Sequence, residues 1–356
     1  MTASPPPALA LAVVPSPGHD DRGHPEHAGR IPAILAALAA DDVTGDGAAD
    51  RLPRLAVEPA SFVALARVHH PRYLEALHAA MDRAPAVVDA APTYITPTSF
   101  DDARRSAGAA LAAVDAVLDG RAGAAFALGR PPGHHARPAA AMGFCLLANA
   151  AVAVRHAQAR GIGRVLVVDF DVHHGNGTQE VFWDDGSVVF VSCHQRGAYP
   201  GGGAIDEVGA GAGAGATVNV PLPAGAGDLA FGRVMAEVVA PVAERARPEL
   251  VVVSAGFDAA WRDPLAQLTV TGAGFHAAAR ALRDLARRHA EGRIAFVLEG
   301  GYDLAALGEG VVHVARAVHD APPTPAAAAA SPHPEPPIDA VLAAVRTRHA
   351  LPGQTW

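Results

Sequence analysis

Seven side chains able to carry acid–base or metal chemistry lie at the carboxyl ends of short apolar runs. His134 and His135 stand in GRPPGHHA, Asp169, Asp171 and His173 in VLVVDFDVHHGNGT, Asp258 in AGFDAA and Tyr302 in EGGYD. Ligands of an open parallel sheet bind beyond the carboxyl ends of its strands, so these residues are expected to share one rim. Asp171 and His173 are two apart and can face one cavity. With Asp258 they offer two carboxylates and an imidazole, three protein ligands with a position left for water. That is the donor set of a catalytic Zn²⁺ or Fe²⁺. A structural zinc would close with four ligands, and Cys145 and Cys193 have no suitable spacing. The adjacent His134 and His135 are either further ligands or two proton carriers. Asp169 is placed to orient one of them, and Asn176 to accept a hydrogen bond from the other without adding charge. Tyr302 has a hydroxyl that can stabilise an oxyanion.

The elements that must position these groups read as α/β. Strands are expected at Leu9–Val14, Ala124–Leu128, Val165–Asp169, Val188–Ser192, Leu250–Ser254 and Ile294–Leu298. Helical periodicity runs through Ser99–Gly120, with Ser99 as N-cap, and through Gly272–Gly292. Such alternation predicts a parallel sheet with helices on both faces. GAGAGAGA (Gly209–Ala216) leads into the strand-like TVNVPL, whereas a nucleotide loop would open a helix. One domain is expected over residues 1–320. A Pro/Ala-rich linker then covers Ala321–Pro337, and residues 338–356 carry a helix, Ile338–His349, that packs back on the domain.

The 356 residues are half apolar, enough for a sizeable core. All 28 basic residues are Arg, and the net charge of −8 provides no basic footprint for nucleic acid. Two cysteines make no disulfide framework and are expected to be reduced thiols. ALALAVV (Ala8–Val14) is too short to span a bilayer and has no basic residue before it. The expectation is a cytoplasmic protein with no membrane partner, and the oligomeric state is left open.

RPPGHHA, VDFDVHHGNGTQ, VSAGFDAAWRDPL and LEGGYD together resemble the zinc-dependent histone deacetylase family, which includes acetoin-utilisation proteins and acetylpolyamine amidohydrolases. GHPEHAGRI, GFCLLANAAVAV and VNVPL also fit, and HHGNG with Asn is similar to the class II branch, in a chain that looks bacterial. The resemblance spans roughly Ala8 to Asp320. It implies an arginase-like domain with a mostly parallel sheet of about eight strands. It implies Zn²⁺ held by Asp171, His173 and Asp258, with His134 (paired with Asp169) beside the catalytic water. His135, beside Asn176, becomes the second proton carrier, and Tyr302 the donor to the amide carbonyl. A potassium ion is implied at Asp169, Asp171, His173 and Ser192. Phe144 and Tyr199 correspond to the aromatic pair of the acyl-lysine tunnel, where the family usually has Phe at the second position. Gly143, Leu265 and Gly301 also belong to that tunnel, and Arg30 lies below the site.

Two departures bear on substrate. Pro92 stands where many members carry an Asp that grips the substrate backbone, with Asp89 the nearby replacement. Leu265 stands where polyamine-selective members of the class II branch carry Glu, which favours acyl-lysine over acetylpolyamine. The implied activity is removal of an acetyl or other acyl group from an acylated lysine or related amine. Less favoured are a binuclear-manganese ureohydrolase, which needs more carboxylate ligands, and a non-catalytic acyl-lysine binder, which would be expected with a broken metal set or Tyr302.

Overall fold

The computed structural model describes residues 6–44, 52–325, 331 and 333–352. Residues 1–5 and 45–51 of the expected domain, 326–330 and 332 of the expected linker, and 353–356 of the terminal segment lie outside the described residues. The strands are β1 (Leu9–Val14), β2 (Ala86–Val87), β3 (Tyr94–Ile95), β4 (Ala124–Gly129), β5 (Val165–Asp169), β6 (Val188–Gln195), β7 (Thr217–Leu222), β8 (Leu250–Ala255) and β9 (Ile294–Leu298). The helices are α1 (Arg30–Ala40), α2 (Phe62–Leu65), α3 (Pro71–Ala80), α4 (Ser99–Leu118), α5 (Asn149–Ala159), α6 (Asn176–Phe182), α7 (Asp228–Val234), α8 (Ala240–Ala246), α9 (Gly272–His289), α10 (Leu304–Val318) and α11 (Asp339–His349).

Seven strands form one sheet in the order β1-β4-β9-β8-β5-β6-β7, parallel throughout. The parallel sheet expected with about eight strands is thus present, with seven among the described residues. β2 and β3 pair antiparallel as a separate two-stranded ribbon. Chain order and sheet order differ: β8 and β9 insert between β4 and β5. The four strands whose ends carry the reactive motifs are therefore four consecutive neighbours, β4, β9, β8 and β5.

Strand side chains alternate between two cores. Leu9, Leu11, Phe126, Leu128, Leu166, Val168, Val251, Val253, Phe296 and Leu298 point to one face, which α1, α7, α9 and α10 cover. Ala10, Ala12, Ala125, Ala127, Val165, Val167, Val252, Ala295 and Val297 point to the other, under α4 and α5. The many alanines on this second face let α4 lie close to β1, β4 and β9. Both faces being covered is why strands such as LVVVSA read as continuous apolar runs.

Helix starts differ in detail from expectation. Thr98, not Ser99, occupies the N-cap position of α4. The Ser99 hydroxyl instead contacts His19 Nδ1 at 2.6 Å and accepts the Thr96 N–H at 2.7 Å. At α10, Asp303 caps the helix by accepting the Ala306 N–H at 2.7 Å, which fixes Tyr302 just outside its first turn. Beyond α10, the Glu335 carboxylate accepts the N–H groups of Gly227, Leu229 and Ala230 at 2.8–3.0 Å, satisfying the open end of α7. In α11, Leu342 and Val345 are buried, and the helix lies against β7. No helix among the described residues is long and apolar enough to cross a membrane.

Candidate active site

The carboxyl ends of β5 and β8 meet first. Asp171, His173 and Asp258 offer ligand atoms that all lie within 4.8 Å of one another, and both carboxylates are fully buried. His173 Nδ1 lies 3.1 Å from Asp171 Oδ1 and 3.1 Å from Asp258 Oδ2. Neighbouring backbone aims the acids. Gly300 N–H donates to Asp171 Oδ2 at 2.8 Å, and Val172 N–H to Asp258 Oδ1 at 2.9 Å.

Burial and the charge of Asp171 push Asp258 up to about 7. Asp171 itself is held below the usual carboxylate range: burial opposes this, but the imidazoles of His134 and His173 prevail. His173 rises to about 10, against its burial, through its bonds to Asp171 and Asp258. A protonated imidazole thus compensates two buried acids, and a divalent cation would displace that proton. Space for it is kept by glycine. A Cβ on Gly300 would come within 2.1 Å of Asp258 Oδ2, and one on Gly256 within 2.1 Å of Asp171 Oδ2. Donor chemistry and cradle both fit a metal ion.

The histidine pair comes from the turn after β4. His134 Nδ1 is 3.0 Å from Asp169 Oδ2, and its Nε2 is 3.8 Å from Asp171 Oδ1. His135 Nδ1 is 2.7 Å from Asn176 Oδ1. An amide oxygen only accepts, so His135 carries its proton on Nδ1 and leaves Nε2 free. The two rings therefore sit in different electrostatic surroundings. Burial would lower both; His134 is nevertheless raised well above the usual imidazole value by Asp171 and Asp169. His135 is held well below it by burial and by the neighbouring His134 and His173.

A cavity of about 220 Å³ leads down to this group, lined by Ala91, His135, Gly143, Phe144, His173, Tyr199, Leu265 and Tyr302. Phe144 has φ 69°, a left-handed conformation rarely adopted outside glycine, and is held there by surrounding bonds. Its N–H donates to Thr93 Oγ1 at 2.8 Å, and Gly143 N–H donates to Asp89 Oδ2 at 2.9 Å. The ring stands edge-on to Tyr302, with centroids 5.7 Å apart. Tyr199 stands perpendicular to His135 at 5.0 Å. Tyr302 is half-buried, because Phe144 and the Arg30 guanidinium, 5.2 Å from its ring centre, flank it.

Arg30 is fully buried beneath the site and donates to the carbonyls of Gly301 at 2.8 Å and Glu299 at 2.6 Å. Ser192 is paired in register with Asp169 on the neighbouring strand, and its hydroxyl lies 2.9 Å from His194 Nδ1. Asp89 does not project toward the cavity mouth as a free carboxylate. Its oxygens accept the N–H groups of Ala91, Thr93 and Gly143. Leu265 is 40% exposed at the mouth.

Several supporting groups escaped the sequence reading. Glu26 is wholly buried between Arg30 and Arg130, 3.2 and 2.8 Å away, and receives the Tyr94 hydroxyl. Its position four residues before Arg30 was the available signal. Asp263 accepts the N–H groups of Tyr302 and Asp303 at 2.7 and 3.3 Å, and so ties the loop before α9 to Tyr302. Glu299 accepts the N–H groups of Gly133 and His134. Both acids stand inside the quoted motifs, but only the folded chain shows that they hold backbone.

Comparison with known proteins agrees with this architecture. Residues 24–318 match the histone deacetylase domain. The chain is 42% identical over 322 residues to histone deacetylase 14, chloroplastic, of Arabidopsis thaliana, covering 87% of this chain and 76% of that one. It is 43% identical over 284 residues to a histone deacetylase-like amidohydrolase of Pseudomonas aeruginosa, covering 79% and 72%. A crystal structure of the HDA15 HD domain superposes with a TM-score of 0.86 at 35% identity, covering 96% of this chain and 95% of that one. With the fold, the buried acid–imidazole cluster and these matches in agreement, the chain belongs to the histone deacetylase family and is a hydrolase of the deacetylase and amidohydrolase kind.

Proposed function

We propose that the protein is a zinc-dependent deacylase that removes an acetyl or other acyl group from the side-chain amine of an acyl-lysine or a related small amine. The observation that carries this reading is the placement of Asp171, His173 and Asp258 at the floor of a narrow cavity walled by His135, Phe144, Tyr199 and Tyr302. Those three residues would hold Zn²⁺, with Fe²⁺ the other metal suited to the set. When bound, the ion supplies Lewis acidity toward the acyl carbonyl and lowers the pKa of water at the site.

The chain's own groups then divide the work. The acyl-lysine stem passes between Phe144 and Tyr199, with Gly143 giving it room; Gly301, expected in the tunnel, is not among the residues that line the cavity, and a Cβ there would meet Leu307 and Phe257 instead. Tyr302 donates its hydroxyl to the acyl carbonyl oxygen, where negative charge develops. His134, oriented by Asp169, is aimed through Nε2 at the attacking water. His135, oriented by Asn176 and bare at Nε2, takes up the proton that the attacking water gives up and passes it to the leaving amine. Asp169, Asp171, His173 and Ser192 would hold the potassium ion that the family resemblance implies. No carboxylate is among the described residues that line the cavity, Leu265 at its mouth is apolar and Asp89 is engaged with backbone, which supports acyl-lysine over acetylpolyamine.

The test is a panel of acyl-lysine peptides, free acyl-lysines and acetylpolyamines assayed with the zinc-loaded protein. Turnover of acyl-lysines above acetylpolyamines is expected. Preference for acetylpolyamines would replace the substrate assignment, and hydrolysis of neither would overturn the functional reading.

A further inference from the structure

Two prolines, Pro131 and Pro132, precede the histidine pair, and neither has a backbone N–H. The first two donors of that turn are therefore the N–H groups of Gly133 and His134. Both are buried and need an acceptor. They converge on one atom: Glu299 Oε2, 2.7 Å from Gly133 N and 3.0 Å from His134 N. The carboxylate reaches across from the end of β9, which pairs with β4 in the sheet. Its other oxygen accepts the Ser254 hydroxyl at 3.2 Å, and its own carbonyl is gripped by Arg30. Glu299 is completely buried, and its carboxylate lies within 4.8 Å of a ring nitrogen of His134. On the far side of the turn, the His134 carbonyl accepts the N–H groups of Gly177 and Thr178. The peptide bearing the His134 ring is thus pinned from both sides, and Glu299 supplies one side alone.

We propose that Glu299 is a positioning residue for the His134–His135 turn, acting through the reach of its side-chain oxygen to the Gly133 and His134 N–H groups. The inference rests on the deacylase reading for its catalytic consequence, but its structural content stands apart from it. A glutamine at 299 keeps an acceptor oxygen at the same distance and discards the charge. An aspartate keeps the charge but withdraws the oxygens by one C–C bond, about 1.5 Å. The two variants separate reach from charge.

With an acyl-lysine substrate, Glu299→Gln should retain kcat within about threefold. Glu299→Asp should lose about tenfold or more in kcat, with KM and metal content unchanged in both. In parallel, amide hydrogen exchange of the segment around Gly133–Ala136 should quicken in Glu299→Asp and stay near the native rate in Glu299→Gln. Near-native kcat and exchange in the aspartate variant would overturn the proposal, as would equal losses in both variants. If the unaltered protein hydrolyses no acyl-lysine, the functional reading falls, and the exchange measurement alone still decides the role of Glu299.

Discussion

Replacing His69 by glutamine should change how stability depends on pH while leaving it nearly unchanged at neutrality. His69 is buried between two segments that carry site residues. Its Nε2 accepts the Ala148 N–H at 2.9 Å, and its Nδ1 lies 3.1 Å from the Arg137 carbonyl. One nitrogen must therefore be bare and the other protonated, so only the neutral ring fits. Burial lowers its pKa from 6.5 to about 4. Between those values the unfolded chain binds a proton that the folded chain refuses, so this contribution is complete above pH 6.5 and fades as pH falls toward 4. At 1.36 kcal/mol per pKa unit, the loss by pH 4.5 is about 2.5 kcal/mol.

A glutamine can accept from Ala148 with its oxygen and donate to Arg137 with its nitrogen, and it does not titrate. For a 356-residue chain the unfolding entropy is about 0.75 kcal/mol per K, so the effect is about 3 °C in Tm. Scanning calorimetry at pH 7.5, 6 and 4.5 should find the variant within about 1 kcal/mol of the native protein at pH 7.5. It should gain about 2.5 kcal/mol relative to it by pH 4.5. Other buried histidines titrate in both proteins and cancel in the difference. Parallel stability curves for the two proteins would refute the reasoning.

Three further outcomes are expected. Tyr302→Phe removes the proposed donor to the carbonyl oxygen and should cut kcat by about two to three orders of magnitude, read by steady-state kinetics on an acetyl-lysine peptide; near-normal turnover would rule out the role. Asp258→Ala should abolish the binding of one Zn²⁺ per chain that the proposed function requires, and metal content equal to that of the unaltered protein by elemental analysis would exclude Asp258 as a ligand. Glu26→Gln strips the counter-charge from buried Arg30 and Arg130 and should cost about 3–5 kcal/mol, a fall of about 4–7 °C in Tm. A shift below 1 °C would show that these charges are compensated elsewhere.

Much of the fold and of the buried acid–imidazole cluster was legible in the chain because both follow from local pattern. Strands buried on two faces read as unbroken apolar runs, and a parallel strand shows its ligand-bearing end as the point where the run stops. Residues 165–178 contain that transition entire, which is why Asp169, Asp171 and His173 could be named without coordinates. Asp89 shows the limit of such reading. As a residue type it suited the substrate-gripping role, yet its oxygens are spent on Ala91, Thr93 and Gly143.

The tertiary structure alone decided which strand ends meet. Nothing local in the chain states that β8 and β9 insert between β4 and β5, and that insertion brings Asp258 and Tyr302 to the histidine pair. The same holds for Glu299 and Asp263 and for the pairing of Glu26 with Arg130, where the carboxylates receive N–H groups or a cation from segments 39 to 166 residues away. A side chain's type and spacing determine what chemistry it can do. Its partner is set by the packing of the whole chain, because a buried donor or charge accepts whatever acceptor the fold delivers.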